Sequence, residues 1–497
     1  MQYLLAHDVG TSGDKATLFT TDGALRASAV EPYPCRYSHG TWAEQDPEDW
    51  YAAVCRSTRK LLADIDPADV AGVSFSGHMM GAVFLGRGGE LLRSAIIWAD
   101  QRATEQQRLL SERVGDARFY EITGSRNNPT SSVCKLLWAL EHDGLGPRLD
   151  KVVNCKDYLA ARLTGTVATD YSDASGTGAL DVHTFEWSRE ILEAAGLPAS
   201  YFPELRASTD LAGRVTARAA AETGLLEGTP VFCGCGDGTA ASVGSGISAP
   251  GEGYVSLGTS AWVSYLDGAP LLDPAMRTFN MAGIRRGSVY PLGTMQAAGS
   301  SYSWMRDQLC GGEQRDAAAR GGSVYDEINR QIAAEAPGAG GVLFLPYLMG
   351  ERSPWWDASA CGAFLGLRQE TTHAQLLRAV MEGVAMNLAL ILRVFREQRP
   401  FASLRILGAA AREPVWRQVL ADVLNARIEL LNLPEEGCSL GAAVAAGIGC
   451  GALSGLEDVG RFLRVVTVTE PDPERAGRYA ALLPKFEDAF RRLQGLY

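Results

Sequence analysis

Three short stretches hold residue types suited to phosphate chemistry. The first is Asp8-Val9-Gly10-Thr11-Ser12-Gly13-Asp14-Lys15, set between two strand-like apolar runs, Tyr3 to His7 and Ala16 to Phe19. A tight turn of Gly, Thr and Ser between strands can present backbone N–H groups and hydroxyls to an anion. The carboxylate of Asp8 would repel that anion unless a divalent cation lies between them, so the pattern points to metal-bound nucleotide phosphate. The second stretch, Gly258-Thr259-Ser260, repeats the Gly-Thr-Ser turn between the runs Gly253 to Leu257 and Ala261 to Leu266. The third is Gly236-Asp237-Gly238, which follows the apolar run Val231 to Cys235. An Asp between two Gly at a strand end can be approached closely by a ligand. It reads either as a helix N-cap or as a general base that takes a proton from a substrate hydroxyl. Phosphoryl transfer needs a positioned hydroxyl, a nearby carboxylate, a metal on the phosphates and donors for the developing charge. These stretches hold a candidate for each part.

The elements that must position them alternate between strand and helix patterns, which predicts an α/β architecture. In the first half Val70 to Ser76, Gly81 to Leu85 and Ala95 to Trp98 read as strands. Asp46-Pro47-Glu48-Asp49 reads as a helix start, with Asp as N-cap and Pro in the first turn, and Trp50, Val54 and Leu61-Leu62 continue its apolar face. A second helix starts at Ser188 and is closed by Gly196-Leu197-Pro198. The second half restarts the first: each Gly-Thr-Ser turn is followed by a strand ending in Asp-Gly, at Asp22-Gly23 and Asp267-Gly268. A Gly, Ser and Pro-rich stretch from Ser245 to Gly253 divides the chain into residues 1–247 and 248–497. Two such lobes with facing hairpins would clamp a nucleotide between them.

Composition narrows the partners. The chain has 497 residues, 46% hydrophobic and 21% charged, enough for more than one core. A formal net charge of -12 argues against a nucleic-acid partner. The start, Met1-Gln2-Tyr3-Leu4, carries no basic or long apolar leader, and the small-apolar stretch Gly441 to Leu453 is too short to span a bilayer. The ten Cys show no metal-ligand spacing. Cys233-Gly234-Cys235 reads as a structural pair sharing one face of a buried strand. A cytoplasmic, reduced protein without a membrane partner is expected.

The chain resembles the FGGY family of carbohydrate kinases, and within it the pattern is nearest the xylulose kinases. The resemblance rests on Asp8 to Lys15, Trp42 to Trp50, Gly77 to Gly81, Trp98 to Arg102, Lys156-Asp157-Tyr158, Ser172 to Thr177, Gly236-Asp237, Ser256 to Ser260 and Pro346 to Pro354. It also rests on two signature-like stretches, Asn128 to Trp138 and Gly362 to Leu367 with the helix that follows to Glu382. The resemblance implies two actin- and hexokinase-like (ribonuclease H-like) lobes with a nucleotide and sugar cleft between them. It implies ATP and Mg²⁺, with Asp237 as catalytic base and Asp8 orienting the metal. Thr11, Ser12, Gly258 and Thr259 would hold phosphates, and Gly408, Ala409 and Arg412 the adenosine side, with Gly437 to Gly441 forming a turn beside it. The implied activity is ATP-dependent phosphorylation of a ketopentose such as xylulose, or of a related ketose or polyol. A sugar-independent two-lobed ATPase or chaperone-like protein is the alternative, and a homodimer stays open.

Departures bear on the acceptor. Where xylulose kinases read Gly-Gln-Met-His-Gly, this chain has Gly77-His78-Met79-Met80-Gly81, so a sugar-bonding His is replaced by Met80, which cannot donate. Gly238 stands where Asn is common, which removes a polar contact in favour of room. Met79 belongs to the same pocket. His78 either restores a donor to the sugar or packs in its own shell, and Asp100 either binds a hydroxyl or pairs with Arg102. Glu351-Arg352 is expected to hold the lobes together rather than touch substrate. Trp355-Trp356 reads as a packed edge or a sugar platform, and Lys135 as a structural charge.

Overall fold

The computed structural model describes residues 1–496, built on two seven-stranded mixed sheets. The first contains β1 (Tyr3–Val9), β2 (Gly13–Thr20), β3 (Leu25–Pro32), β4 (Val70–Gly77), β5 (Leu211–Arg214), β6 (Pro230–Phe232) and β7 (Cys235–Gly236). Its order is β5-β6-β4-β1-β2-β3, with β7 also pairing β4. The second contains β8 (Gly253–Leu257), β9 (Ala261–Tyr265), β10 (Phe279–Ala282), β11 (Val289–Met295), β12 (Ser403–Leu407), β13 (Arg427–Leu431) and β14 (Val465–Thr469), in the order β10-β11-β9-β8-β12-β13-β14. Both sheets share one plan. An antiparallel hairpin, β1-β2 or β8-β9, is extended by a third antiparallel strand on one side and by two parallel strands on the other. The repeat suggested by two Gly-Thr-Ser turns is thus a repeat of topology.

Five helices matter for the site: α1 (Pro47–Leu61), α2 (Ser132–His142), α3 (Asp237–Gly244), α4 (His373–Arg396) and α5 (Gly437–Gly449). Helix α1 begins as its sequence predicts, the Asp46 side chain accepting from Glu48 N and Pro47 opening the first turn, and it buries Trp50, Val54 and Leu61. Helix α4 starts with a Thr372–Gln375 capping box and fills the core beneath the second sheet. It is long and apolar enough to cross a membrane, yet nearly all of it is packed inside the protein.

Helices α3 and α5 pack side by side at backbone distance. A Cβ on Gly441 would lie 2.0 Å from the Ala240 carbonyl oxygen, and one on Gly244 would lie 1.8 Å from that of Gly437. Gly437 to Gly441 is therefore the first turn of α5 rather than a loop beside the adenosine segment. Although α5 follows a strand of the second sheet, it packs on β1 and β4 of the first, sharing a core with Leu4, Ala6 and Phe232. Gly234, with φ +70°, breaks the expected strand, so Cys233 and Cys235 face different cores instead of one side.

Candidate functional site

The carboxyl ends of three adjacent strands bring the acidic residues together. Asp8 is in register with Ser76 across the parallel β1–β4 pair, and Cys235 with Ser76 across β4–β7, so Asp237 follows directly at the start of α3. Ligands of open α/β sheets bind at such strand ends. Ser76 Oγ donates to Asp8 Oδ1 at 2.9 Å, and Gly238 N donates to Asp237 Oδ1 at 2.7 Å. Asp237 is thus not an N-cap: Gly236 holds that position. Burial pushes Asp237 up to about 6. Asp8 rises to about 7, first through burial and then through the charges of Asp237 and Asp14, against the Ser76 hydroxyl bond. Two half-buried carboxylates that each raise the cost of ionisation fit a hard divalent cation with oxygen ligands. Asp14 is turned away into the core, paired with His7 and Ser57.

The first hairpin turn is braced from behind. Gln45 donates to the Thr11 carbonyl at 2.8 Å, Tyr33 N to that of Ser12 at 3.2 Å, and Trp98 Nε1 to Thr11 Oγ1 at 2.8 Å. Ser12, Gly258 and Thr259 are exposed and Thr11 is half-buried. Gly299 and Ser300 N–H groups hold the second turn through the Gly258 and Thr259 carbonyls. Lys15 reaches Glu436 at the head of α5, and Arg412 pairs with Glu435 beside it. Gly408, at φ +100°, ends β12 where a Cβ would lie 2.2 Å from the Leu257 carbonyl oxygen. Ala409 to Arg412 form one 3₁₀ turn with Ala409 exposed.

Near Asp237 lies a cleft lined by Met79, Met80, Phe119, Phe279, Met281 and Trp356, with Arg126 and Arg352 among its polar groups. Its methionines meet the two glycines that flank the catalytic candidate. A Cβ on Gly236 would meet Met79 Sδ at 2.6 Å, and one on Gly238 would meet Met281 Sδ at 2.5 Å. Gly238 therefore leaves no spare room for an acceptor; Met281 occupies it. His78 points away from this cleft, edge-on to Trp50 at 5.2 Å, with both ring nitrogens buried and burial lowering its pKa to about 4. It packs in its own shell. Asp100 is likewise no sugar ligand: its oxygens accept from Arg102 at 2.6 Å and from Ala43 N at 2.6 Å.

Arg352, expected only to hold the lobes together, lines the cleft, and so does Trp356, the platform position of the Trp355-Trp356 pair. Trp355 alone is the packed edge, tilted on Phe490 and donating to Tyr347. Lys135 is structural. Its ammonium donates to the carbonyls of Met80, Ile97 and Thr130 at 2.6 to 2.8 Å, which clamps Met80 at φ +63° in the cleft wall. Lys135→Met leaves those carbonyls buried without a donor and is expected to cost at least ~2 kcal/mol in urea unfolding.

Comparisons with known proteins give the family and the fold. The chain matches the FGGY family of carbohydrate kinases, its N-terminal domain over residues 3–244 and its C-terminal domain over residues 253–450. It is 31% identical to a xylulose kinase of Bacillus subtilis, over 100% of this chain and 98% of that one. It is 29% identical to a gluconokinase of Bacillus licheniformis, over 100% and 97% of the two chains. A ligand-bound crystal structure of a xylulose kinase from Lactobacillus acidophilus superimposes with a TM-score of 0.93 at 26% identity, covering 100% and 99%.

Proposed function

Because this chain belongs to the FGGY family of carbohydrate kinases, we propose that it uses Mg-ATP to phosphorylate a small ketose, a ketopentose such as xylulose or a related polyol, with Asp237 as general base. The observation that carries this reading is the placement of Asp237. It lies beside Asp8 at the strand ends, between two glycines that meet the methionine wall of the cleft. The hydroxyl proton passes to Asp237 as the hydroxyl oxygen attacks the γ-phosphorus and ADP leaves. Asp8 would hold Mg²⁺, which supplies charge neutralisation on the phosphates when bound. The Thr11-Ser12 and Gly258-Thr259 turns would take the phosphates, and Gly408, Ala409 and Arg412 the adenosine. On this reading the lobes are residues 1–247 and 248–497, and α5 packs back across that boundary onto the first sheet.

A coupled ADP assay across pentuloses, hexuloses and polyols, blanked with Asp237→Ala, tests the reading. Sugar-dependent ADP release that vanishes in the variant is expected; ATP turnover indifferent to every sugar would instead favour a free-standing ATPase. D-xylulose is expected to be a poor acceptor, because Met80 and Met281 offer its hydroxyls no donor. The pH profile of kcat/KM is a second check. With Asp237 near 6, the acid limb is expected to fall about tenfold per pH unit below that value. A flat profile down to pH 5 would remove Asp237 as the base.

A further inference from the structure

Cys310, Glu313 and His373 come together in the second half of the chain, and none of them lines the cleft. Cys310 separates the Gly299–Leu309 helix from the Gly311–Arg320 helix, and Glu313 lies in the first turn of the latter. Residues three apart at a helix start share one face. His373 opens α4, where the Thr372–Gln375 capping box fixes the first turn. The Cys310 sulfur, a Glu313 carboxylate oxygen and a His373 ring nitrogen all lie within 4.8 Å of one another. His373 Nδ1 is 3.3 Å from Glu313 Oε1. Gln331, on the Val324–Ala334 helix, donates to that same oxygen at 2.9 Å and so holds the carboxylate in place. Cys310 is fully buried, and among the described residues its thiol makes no hydrogen bond. Core packing accounts for a buried Cys310, and an ion pair for Glu313 with His373. Neither accounts for the thiol meeting that pair.

Thiolate, carboxylate and imidazole are the side-chain groups that bind zinc, and three of them leave a fourth position for water. Bonds of about 2.0 to 2.3 Å set the ligand atoms of a tetrahedral zinc ion roughly 3.3 to 3.7 Å apart. The Glu313–His373 distance already fits, and side-chain movement of about 1 Å closes the rest. Sulfur and nitrogen donors select against Mg²⁺ and Ca²⁺, which prefer oxygen. We propose that Cys310, Glu313 and His373 form a zinc site. As the sulfur–zinc bond forms, the Cys310 thiol gives its proton to solvent, and thiolate and carboxylate together balance the charge of the ion. The charge of Arg315 also reaches Glu313 and opposes a second cation, so the thiolate is needed beside the carboxylate. The ion ties the end of the Gly299–Leu309 helix to the head of α4. Gly299, at the other end of the first of these helices, holds the Gly258 turn. The site escapes a reading of Cys spacing because His373 is far from its partners in sequence.

The full chain is stripped with a chelator and then titrated with Zn²⁺ in excess Mg²⁺, which fills sites made of oxygen ligands. Uptake of one Zn²⁺ per chain is expected, read by elemental analysis after desalting. Co²⁺ in its place is expected to give a near-ultraviolet sulfur-to-metal charge-transfer band, the mark of a thiolate ligand. Cys310→Ser is expected to abolish that band. His373→Ala is expected to weaken zinc binding at least tenfold in competition with a chromophoric chelator. Cys361→Ser, at an exposed thiol outside the cluster, is expected to change neither readout. Zinc is expected to raise the melting temperature of the wild type and of Cys361→Ser, but not of the two ligand variants. Cys310 belongs to the core, so if Cys310→Ser does not fold, the decision rests on His373→Ala, whose side chain is exposed. A missing charge-transfer band, a band lost with Cys361 instead, zinc held no more tightly than Mg²⁺, or binding undiminished in His373→Ala would each overturn the site. The kinase reading stands or falls separately, on the ADP assay.

Discussion

Replacing Asp237 with Asn is expected to give a protein that is more stable and almost inactive. The two effects have one cause. Asp237 ionises reluctantly because it is half-buried beside Met79 and Met281, and burial raises it from 3.8 to about 6. A carboxyl whose pKa is higher in the folded chain than in the unfolded chain binds more protons when folded between those values. Stability therefore falls as pH rises from about 4 through about 6, and the ionised form is carried at a cost above that. Asn keeps the shape and can still accept from Gly238 N, but it never ionises. The variant should gain about 2 kcal/mol at pH 7.5, allowing for partial exposure of the side chain, and the gain should vanish near pH 4. Catalysis moves the other way. Loss of a general base lowers kcat by roughly 10² to 10⁴-fold. Urea unfolding at the two pH values and the coupled ADP assay read both signs. A variant destabilised at pH 7.5, or one within tenfold of wild-type turnover, would mean that Asp237 serves the fold rather than the reaction.

The parts of the site that can be read from sequence are those set by local pattern. Asp8, the two Gly-Thr-Ser turns and Asp237 each lie within a few residues of a strand whose pattern is local, so their place at strand ends follows from alternation and turn chemistry. The acceptor cleft does not follow in this way. Met79 and Met80 come from one loop, Ser175 from the end of the short Tyr171–Ser175 helix, Phe279 and Met281 from β10, and Arg352 and Trp356 from a loop later still. No spacing rule links segments so far apart. The direction of His78 is also lost, because the strand ends at Gly77 and alternation ends with it. Helix α5 escapes for a different reason. Its Gly and Ala content resembles a flexible loop, while the small residues in fact serve close helix contact. The strand break at Gly234 is a conformational choice that a lone Gly permits and sequence does not announce.

Helix contact at that distance makes Gly441 a position where one methyl group should do severe harm. The Gly441 Cβ site lies 2.0 Å from the Ala240 carbonyl oxygen and 2.7 Å from Ala240 Cα, so the obstacle is backbone on both counts. No rotamer change relieves it; α3 and α5 must separate. Asp237 opens α3, and Glu436 at the head of α5 holds Lys15 from the first hairpin, so separation also displaces the base and the turn beside it. Gly441→Ala is expected to cost more than ~3 kcal/mol in urea unfolding, as overpacking against rigid backbone does, and to lower kcat together with stability. Gly477 supplies the control. It lies in the exposed face of the Pro473–Leu493 helix with nothing within 4 Å of its Cβ site. There the same change removes backbone freedom from the unfolded chain without a clash, and Gly477→Ala is expected to stabilise by ~0.5–1 kcal/mol. Equal effects of the two substitutions would mean that α3 and α5 can slide apart at little cost. The opposite signs expected here make their contact the fixed joint that holds Asp237 against both lobes.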